Sequence, residues 1–342
     1  MNGVRGRRYV WPDPKVQKLA ARFVAVADDD GVLRGAQSAE GVFHRRLTDE
    51  LGYLRDAFEF ANGAPRDFGQ GLYCVTPAGE HLASAQVNFD PQTAIDVLTE
   101  ALAAWDRLPS SRRLAPAPID PAGATPRAGD AYPEDGLVLV ESMRDLPRDP
   151  PQDESLAGSW NRDYVWFRAE EARELLPPNL VKGARHEVPE RLVRRLAQHH
   201  LVDYVHCIGY PFEPEHVERA ALIATVESIA GPLVELRLEG ASRTSQDGPR
   251  GQAGHENEDQ SRQWRGVDVE LLGRATWDER AGRFLRFDLL ALGHRWGGVS
   301  SSRWQDFAEN PIGFEFRIAG RRPIDRTPPY GIHGSVGGAP YW

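Results

Sequence analysis

Five strand-like runs dominate the second half of the chain: "ALIATVESI", "LVELRLEG", "VDVELLGRATW", "RFLRFDLLALG" and "IGFEFRIAG". In the second of them Val234, Leu236 and Leu238 alternate with Glu235, Arg237 and Glu239. A period of two sends one set of side chains to a buried face and the other to water. The short "DERAG" between Trp277 and Arg283 has turn chemistry, so the runs flanking it are expected to pair as an antiparallel hairpin. Between Ala241 and Arg265 the residues are polar without apolar periodicity, which predicts an exposed loop. No internal repeat is visible.

Helical segments accompany these strands. "VPERLVRRLAQHHLVDYVHC" starts at Pro189 and places Leu192, Val193, Leu196, Ala197, Leu201 and Tyr204 on one face. "WNRDYVWFRAEEARELLPPN" joins an aromatic cluster to a helix stopped by Pro177 and Pro178. "GLVLVESM" is a further expected strand. Upstream, "PSSRRLAPAPIDPAGATPRAGDAYPEDG" is rich in proline and poor in large apolar residues, the composition of an extended linker. A chain of 342 residues exceeds the usual single domain. The expected division is a domain over 1–108, a linker over 109–135, a β-rich domain with two helices over 136–320 and a C-terminal tail over 321–342.

The first domain has its own order. In "DPKVQKLAARF", Asp13 can cap a helix that begins at Pro14 and buries Val16, Leu19, Ala20 and Phe23. "FVAVA" before "DDDG" is expected to be a strand. "SAEGVFHRRLTDELGYL" gives a second helix with Ser38 as cap and Val42, Phe43, Leu47, Leu51 and Leu54 as its buried stripe. "LYCVTPAGEHLASAQV" is a hairpin turned at its Pro-Ala-Gly-Glu. After it, Asp90 caps "PQTAIDVLTEALAAWDRL", with Ile95, Leu98, Leu102 and Trp105 along one face.

Residues 10 to 108 resemble the later part of a thioredoxin-like fold. "WPDPKVQKLAARFVAVADDD" is similar to the segment after that family's active-site helix, and the hairpin with its capped helix is similar to its last two strands and last helix. The whole chain also resembles uncharacterised two-part bacterial proteins of the planctomycete kind, a resemblance that implies no activity. The expected fold class is therefore α+β, an incomplete thioredoxin-like α/β domain followed by a mainly antiparallel β-rich domain with helices.

Departures from the family are functional. Its Cys-x-x-Cys would lie before Trp11, and no such pair stands there. Where the family places a cis-proline ahead of the penultimate strand, this chain has Gly71 or its neighbours. Cys74 falls inside the strand with no cation near it in sequence, so it is expected to pack as a small hydrophobe with a raised pKa. Two cysteines cannot make a disulfide scaffold, although a Cys74–Cys207 bridge is allowed by counting.

Net charge is −9, which argues against general binding to nucleic acid or anionic membranes. No run approaches the ~20 apolar residues of a membrane span. The start of the chain lacks the apolar core of a signal peptide. These features predict a cytoplasmic protein, or an exported one if a signal segment precedes Met1.

Three clusters carry candidate chemistry. In "HHLVDYVHC", His199, His206 and Cys207 are candidate ligands for zinc or copper, while His200 falls near the middle of the apolar stripe and is expected to be a hydrogen-bonded core residue. In "GHRWGGVSSSRWQDF", His294, Arg295, Trp296, Arg303 and Trp304 surround a Gly/Ser loop and are candidates for partner binding, set against a reading as aromatics that cover a sheet end. The aromatics of "WNRDYVWF" are expected to dock a helix onto the sheet. Phosphate loops, dinucleotide fingerprints, H-E-x-x-H and nucleophile elbows are missing.

The leading expectation is a non-catalytic binding or scaffolding protein with a protein partner and a capacity to form homo-oligomers. One alternative is a thiol-disulfide oxidoreductase whose active-site segment lies upstream; the other is a metal-binding protein that uses the histidine helix.

Overall fold

A computed structural model describes residues 10–26, 33, 37–50, 71–85, 90–113, 128–147, 160–205, 211–249, 262–298, 308–330 and 341–342. The chain forms two units, Met1–Pro126 and Arg127–Trp342. That boundary falls inside the expected linker, and the residues expected as a C-terminal tail belong to the second unit. No helix among the described residues is long and apolar enough to cross a membrane.

In the first unit α1 (Pro14–Ala20) begins where Asp13 accepts hydrogen bonds from the backbone of Lys15 and Val16. The cap answers amide groups that the first turn of a helix leaves unpaired. The expected strand at "FVAVA" does not form in its described part, residues 23–26. Val24 and Val26 are exposed there, and no strand among the described residues pairs with the segment.

Helix α2 (Ala39–Glu50) is capped by Ser38, whose hydroxyl accepts from the Gly41 amide at 3.2 Å. Its Phe43 ring covers Gly79, where a Cβ would sit 2.8 Å from the ring. That contact and buried Leu47 set the helix rotation, so Val42, a step of about 100° away, is exposed rather than part of the buried stripe. Leu51 and Leu54 lie outside the described residues.

Strands β1 (Leu72–Val75) and β2 (His81–Ala85) form the expected hairpin, and α3 (Pro91–Arg107) packs on it. Ala94, Val97, Leu98 and Ala101 are its buried residues, and Ile95 is half-buried against the same cluster as Cys74 and Ala83. The inward face is thus rotated slightly from the Ile95–Leu98–Leu102–Trp105 line, because small alanines allow close approach to the hairpin.

Among the described residues the second unit holds one eight-stranded antiparallel sheet. Its strands are β3 (Leu137–Asp145), β4 (Trp160–Phe167), β5 (Arg185–Glu187), β6 (Val217–Ala230), β7 (Leu233–Pro249), β8 (Arg262–Asp278), β9 (Arg283–Gly298) and β10 (Asn310–Ile318). Their order across the sheet is β4-β3-β10-β9-β8-β7-β6-β5. Gly231 and Gly282 adopt positive φ at the β6–β7 and β8–β9 turns, a conformation that glycine reaches without a steric penalty. The turn at "DERAG" is therefore the expected hairpin.

Two helices flank the sheet: α4 (Ala169–Arg173) after β4, and α5 (Glu190–His199) against β6 and β7. Leu192, Val193 and Leu196 of α5 meet Leu222, Ala224, Leu236 and Leu238, and the same core continues through Val269, Leu289, Phe314 and Leu139. Each such side chain contributes about 1.5–3 kcal/mol by leaving water.

The expected loop over 241–265 is not one: its described ends are strand, up to Pro249 and from Arg262. A period of two does run through it, but the inward residues are Ser242, Thr244 and Gln246, so apolar periodicity could not reveal it. Gln246 accepts from Arg265 Nε at 2.9 Å, and the Arg265 guanidinium stacks 4.2 Å over Phe212, so this end of the inner face is closed by polar pairs. "WNRDYVWF" is strand β4 itself, and its Phe167 packs in the same core as Leu192 and Leu196 of α5.

Candidate functional site

Strand alternation puts Glu141 on the same face of β3 as Leu139 and Met143, pointing into the core. Directly across the ladder on β4 stands Asp163, and the residue that ends α5, His200, comes down onto both. His200 and Glu141 side chains are fully buried, and Asp163 is nearly so. His200 Nδ1 lies 3.0 Å from Glu141 Oε2 and 3.6 Å from Asp163 Oδ2. On the far side of the ring, Nε2 lies 3.0 Å from the Tyr341 hydroxyl.

Tyr341 closes a chain of hydrogen bonds on the side of β4 that pairs with no other described strand. Its oxygen accepts from the Trp166 amide at 3.0 Å, and its hydroxyl proton reaches the Trp166 carbonyl at 3.4 Å. With that proton committed, the hydroxyl accepts from Nε2–H of His200. The arrangement turns Nδ1 toward the two carboxylates and covers an edge that would otherwise invite another strand.

Two acceptors in the cluster remain unsatisfied. Glu141 Oε1 and Asp163 Oδ2 have no hydrogen-bond partner among the described residues. Burial pushes Glu141 up to about 7, against the pull of His200. Burial alone would push His200 down, but Tyr341, Asp163 and Glu141 together hold it well above its usual range. His199 is held down to about 3 by burial, then by the charges of His200 and Arg195. Glu141, Asp163 and His200 form a buried group that could hold a metal ion.

Next to this group Arg195 donates to both carboxylate oxygens of Glu171, at 2.8 and 3.0 Å, and to the Trp166 carbonyl at 3.2 Å. Its guanidinium lies about 5 Å from the rings of Phe167, Tyr341 and Trp342. The last two residues are thereby tied to the helix and to the edge strand.

No protein-family model, curated protein or solved structure matches this chain. Function has to be argued from its own side chains.

Of the expected ligand set, only His199 lies among the described residues. His199 is buried with its ring against Tyr341, while His206 and Cys207 lie outside the described residues. His200 is the hydrogen-bonded core residue expected from its place in the stripe. Glu141 and Asp163 were not singled out in the sequence, although one signal pointed to them: a carboxylate at the inward phase of "LVLVESM" needs a buried partner.

The "GHRWGG" residues are not in a loop, because β9 continues to Gly298. Alternation therefore separates them. Arg295 points inward, 1% exposed and 3.6 Å from Asp203, so it cannot serve a recognition surface. His294 and Trp296 point outward, where they help to line a hollow of about 580 Å³ with Arg219, Arg243, Trp264 and Glu309. Arg303 and Trp304 lie outside the described residues. The same sheet face carries the exposed Leu272, Leu290 and Leu292.

Proposed function

We propose that this chain is a non-catalytic binding protein whose second unit is built around one zinc ion held by Glu141, Asp163 and His200. The observation that carries the reading is the meeting of Glu141, Asp163 and His200 in a sealed core, with Glu141 Oε1 left without a hydrogen-bond partner among the described residues. Two carboxylates facing one imidazolium leave a net negative charge in a site closed to water, which is costly. Protonating Glu141 removes the charge but gives Oε1 no partner. A divalent cation with a neutral imidazole balances the charge and takes one ligand atom from each of the three side chains.

The separations agree with this. Ligand atoms about 2.1 Å from a tetrahedral zinc are about 3.4 Å apart, and the two distances from His200 Nδ1 are 3.0 and 3.6 Å. One nitrogen with carboxylate oxygens suits zinc, whereas copper(I) seeks sulfur. Because His200 and Glu141 are sealed from solvent, no substrate reaches the ion, and its role is to hold β3, β4, α5 and, through His200, Tyr341 together. Binding then falls to the open face of the sheet.

The first unit supports a non-catalytic reading as well. Its hairpin and capped helix are the elements on which the thioredoxin-like reading rests. Burial pushes its buried Cys74 up to about 11, away from thiolate chemistry.

Elemental analysis of protein purified without a histidine tag tests the proposal. The expected result is about one zinc per chain, lost from Asp163→Asn. Sub-stoichiometric amounts of every transition metal would remove it.

A further inference from the structure

The hollow on the outer face has a composition that none of the foregoing explains. Trp264 on β8 and Trp296 on β9 are diagonal neighbours: Trp296 pairs with Gly266 and Trp264 with Gly298. Trp296 is fixed. Its ring lies over Gly266, where a Cβ would come within 2.0 Å of it, and the Arg243 guanidinium stacks 5.1 Å from its centre. Trp264 is 49% exposed, so a large flat ring is offered to solvent beside a rigid wall.

The two arginines of the hollow are already paired, and Glu270 and Glu309 stand exposed beside them. Arg219 donates to Asp268 at 2.9 Å, and Arg243 donates to Asp268 at 2.6 Å and to Glu218 at 2.8 Å. His294 Nδ1 lies 3.8 Å from Glu309. An anionic ligand would have to break these pairs to find a counter-charge. A neutral ligand would not, and it would meet guanidinium N–H donors beside carboxylate acceptors.

We infer that the hollow binds a neutral oligosaccharide. Adjacent hydroxyls of a sugar each donate and accept, which fits alternating guanidinium and carboxylate groups. The C–H face of a pyranose ring is slightly positive and apolar, which fits the negative face of an exposed indole. Few precisely placed polar groups around an aromatic surface are what a specific small-ligand site requires. The inference rests on the reading of this unit as a non-catalytic binding module and is independent of the metal.

Affinity electrophoresis of the full chain tests it, in native gels containing soluble β-1,3-glucan, hydroxyethyl cellulose, xylan, galactomannan or glycol chitosan, the last N-acetylated to neutrality. Retardation is expected in at least one of these gels, weakened tenfold or more by Trp264→Ala and by Glu309→Gln. Both side chains are exposed, so unfolding temperature and zinc content should stay at wild-type values. Migration unchanged in every gel overturns the inference, as does retardation that Trp264→Ala leaves intact. Retardation with a polysaccharide recovered shortened supports the ligand class and overturns the non-catalytic reading. Retardation of protein that contains no zinc supports the ligand class and overturns the metal proposal.

Discussion

His200 Nδ1 lies 3.0 Å from Glu141 Oε2, with both side chains sealed from solvent. Removing one partner of such a pair strands the other in the core, at a cost of roughly 3–5 kcal/mol. Glu141→Ala is therefore expected to lower the unfolding temperature sharply. Glu141→Leu, which fills the volume without charge but still strands Asp163, is expected to lose zinc as well. Urea unfolding followed by circular dichroism, with and without a chelator, measures both effects. A chelator that shifts the wild type but neither variant is the expected pattern.

Tyr341 links His200 to Trp166 of β4. Tyr341→Phe keeps the ring and removes three hydrogen bonds, so a loss of about 1–3 kcal/mol is expected. Zinc affinity should fall at least tenfold, because the imidazole loses the group that orients it. Competition with a fluorescent zinc chelator reads the second effect; unchanged affinity would mean that Tyr341 does not position His200.

Gly266 is the floor beneath Trp296. A Cβ there would come within 2.0 Å of the indole and 2.6 Å of the Thr244 carbonyl oxygen, which cannot swing away. Gly266→Ala is expected to cost about 1–3 kcal/mol as overpacking. The emission of Trp296 should also change as its ring is displaced, a shift absent from Trp296→Phe.

Glu171 and Arg195 supply an acid-sensitive contact. Burial pushes the Glu171 carboxyl up, but hydrogen bonds from Arg195 and the Arg168 amide outweigh it and hold the group below its usual range. A depressed folded pKa means that the contribution is present above the unfolded value, about 4.3, and is lost as pH falls through the folded one. The unfolding temperature of the wild type should fall between about pH 5 and pH 3. In Glu171→Gln this part of the fall should be missing.

Cys74 should resist a thiol reagent in the native state. With its thiol pushed up to about 11 by burial, the thiolate is scarce at pH 8. Modification by iodoacetamide is expected only on unfolding; peptide mapping identifies the residue. Rapid native labelling of Cys74 would contradict the packing described for β1.

Much of this fold was legible because alternation and caps act locally. Asp13, Ser38 and Asp90 each cap the helix expected of them, and the five apolar runs are five of the strands. What escaped was nonlocal. The ends of β7 and β8 bury Ser242, Thr244, Gln246 and Arg265, which carry no apolar signal, and Arg265 donates to Gln246. Glu141, Asp163, His200 and Tyr341 come from well-separated parts of the chain and meet only because β3 and β4 pair while α5 ends above them. Even inside "GHRWGG" the outcome turned on one strand continuing, which sends Arg295 inward and leaves Trp296 outside.

The most direct test is X-ray diffraction on either side of the zinc absorption edge, from crystals of chelator-free protein. Expected is a single anomalous peak about 2.0–2.2 Å from His200 Nδ1 and from carboxylate oxygens of Glu141 and Asp163. Zinc-soaked crystals with no peak at that position, and with His200 Nδ1 still hydrogen-bonded to Glu141, would contradict the metal centre.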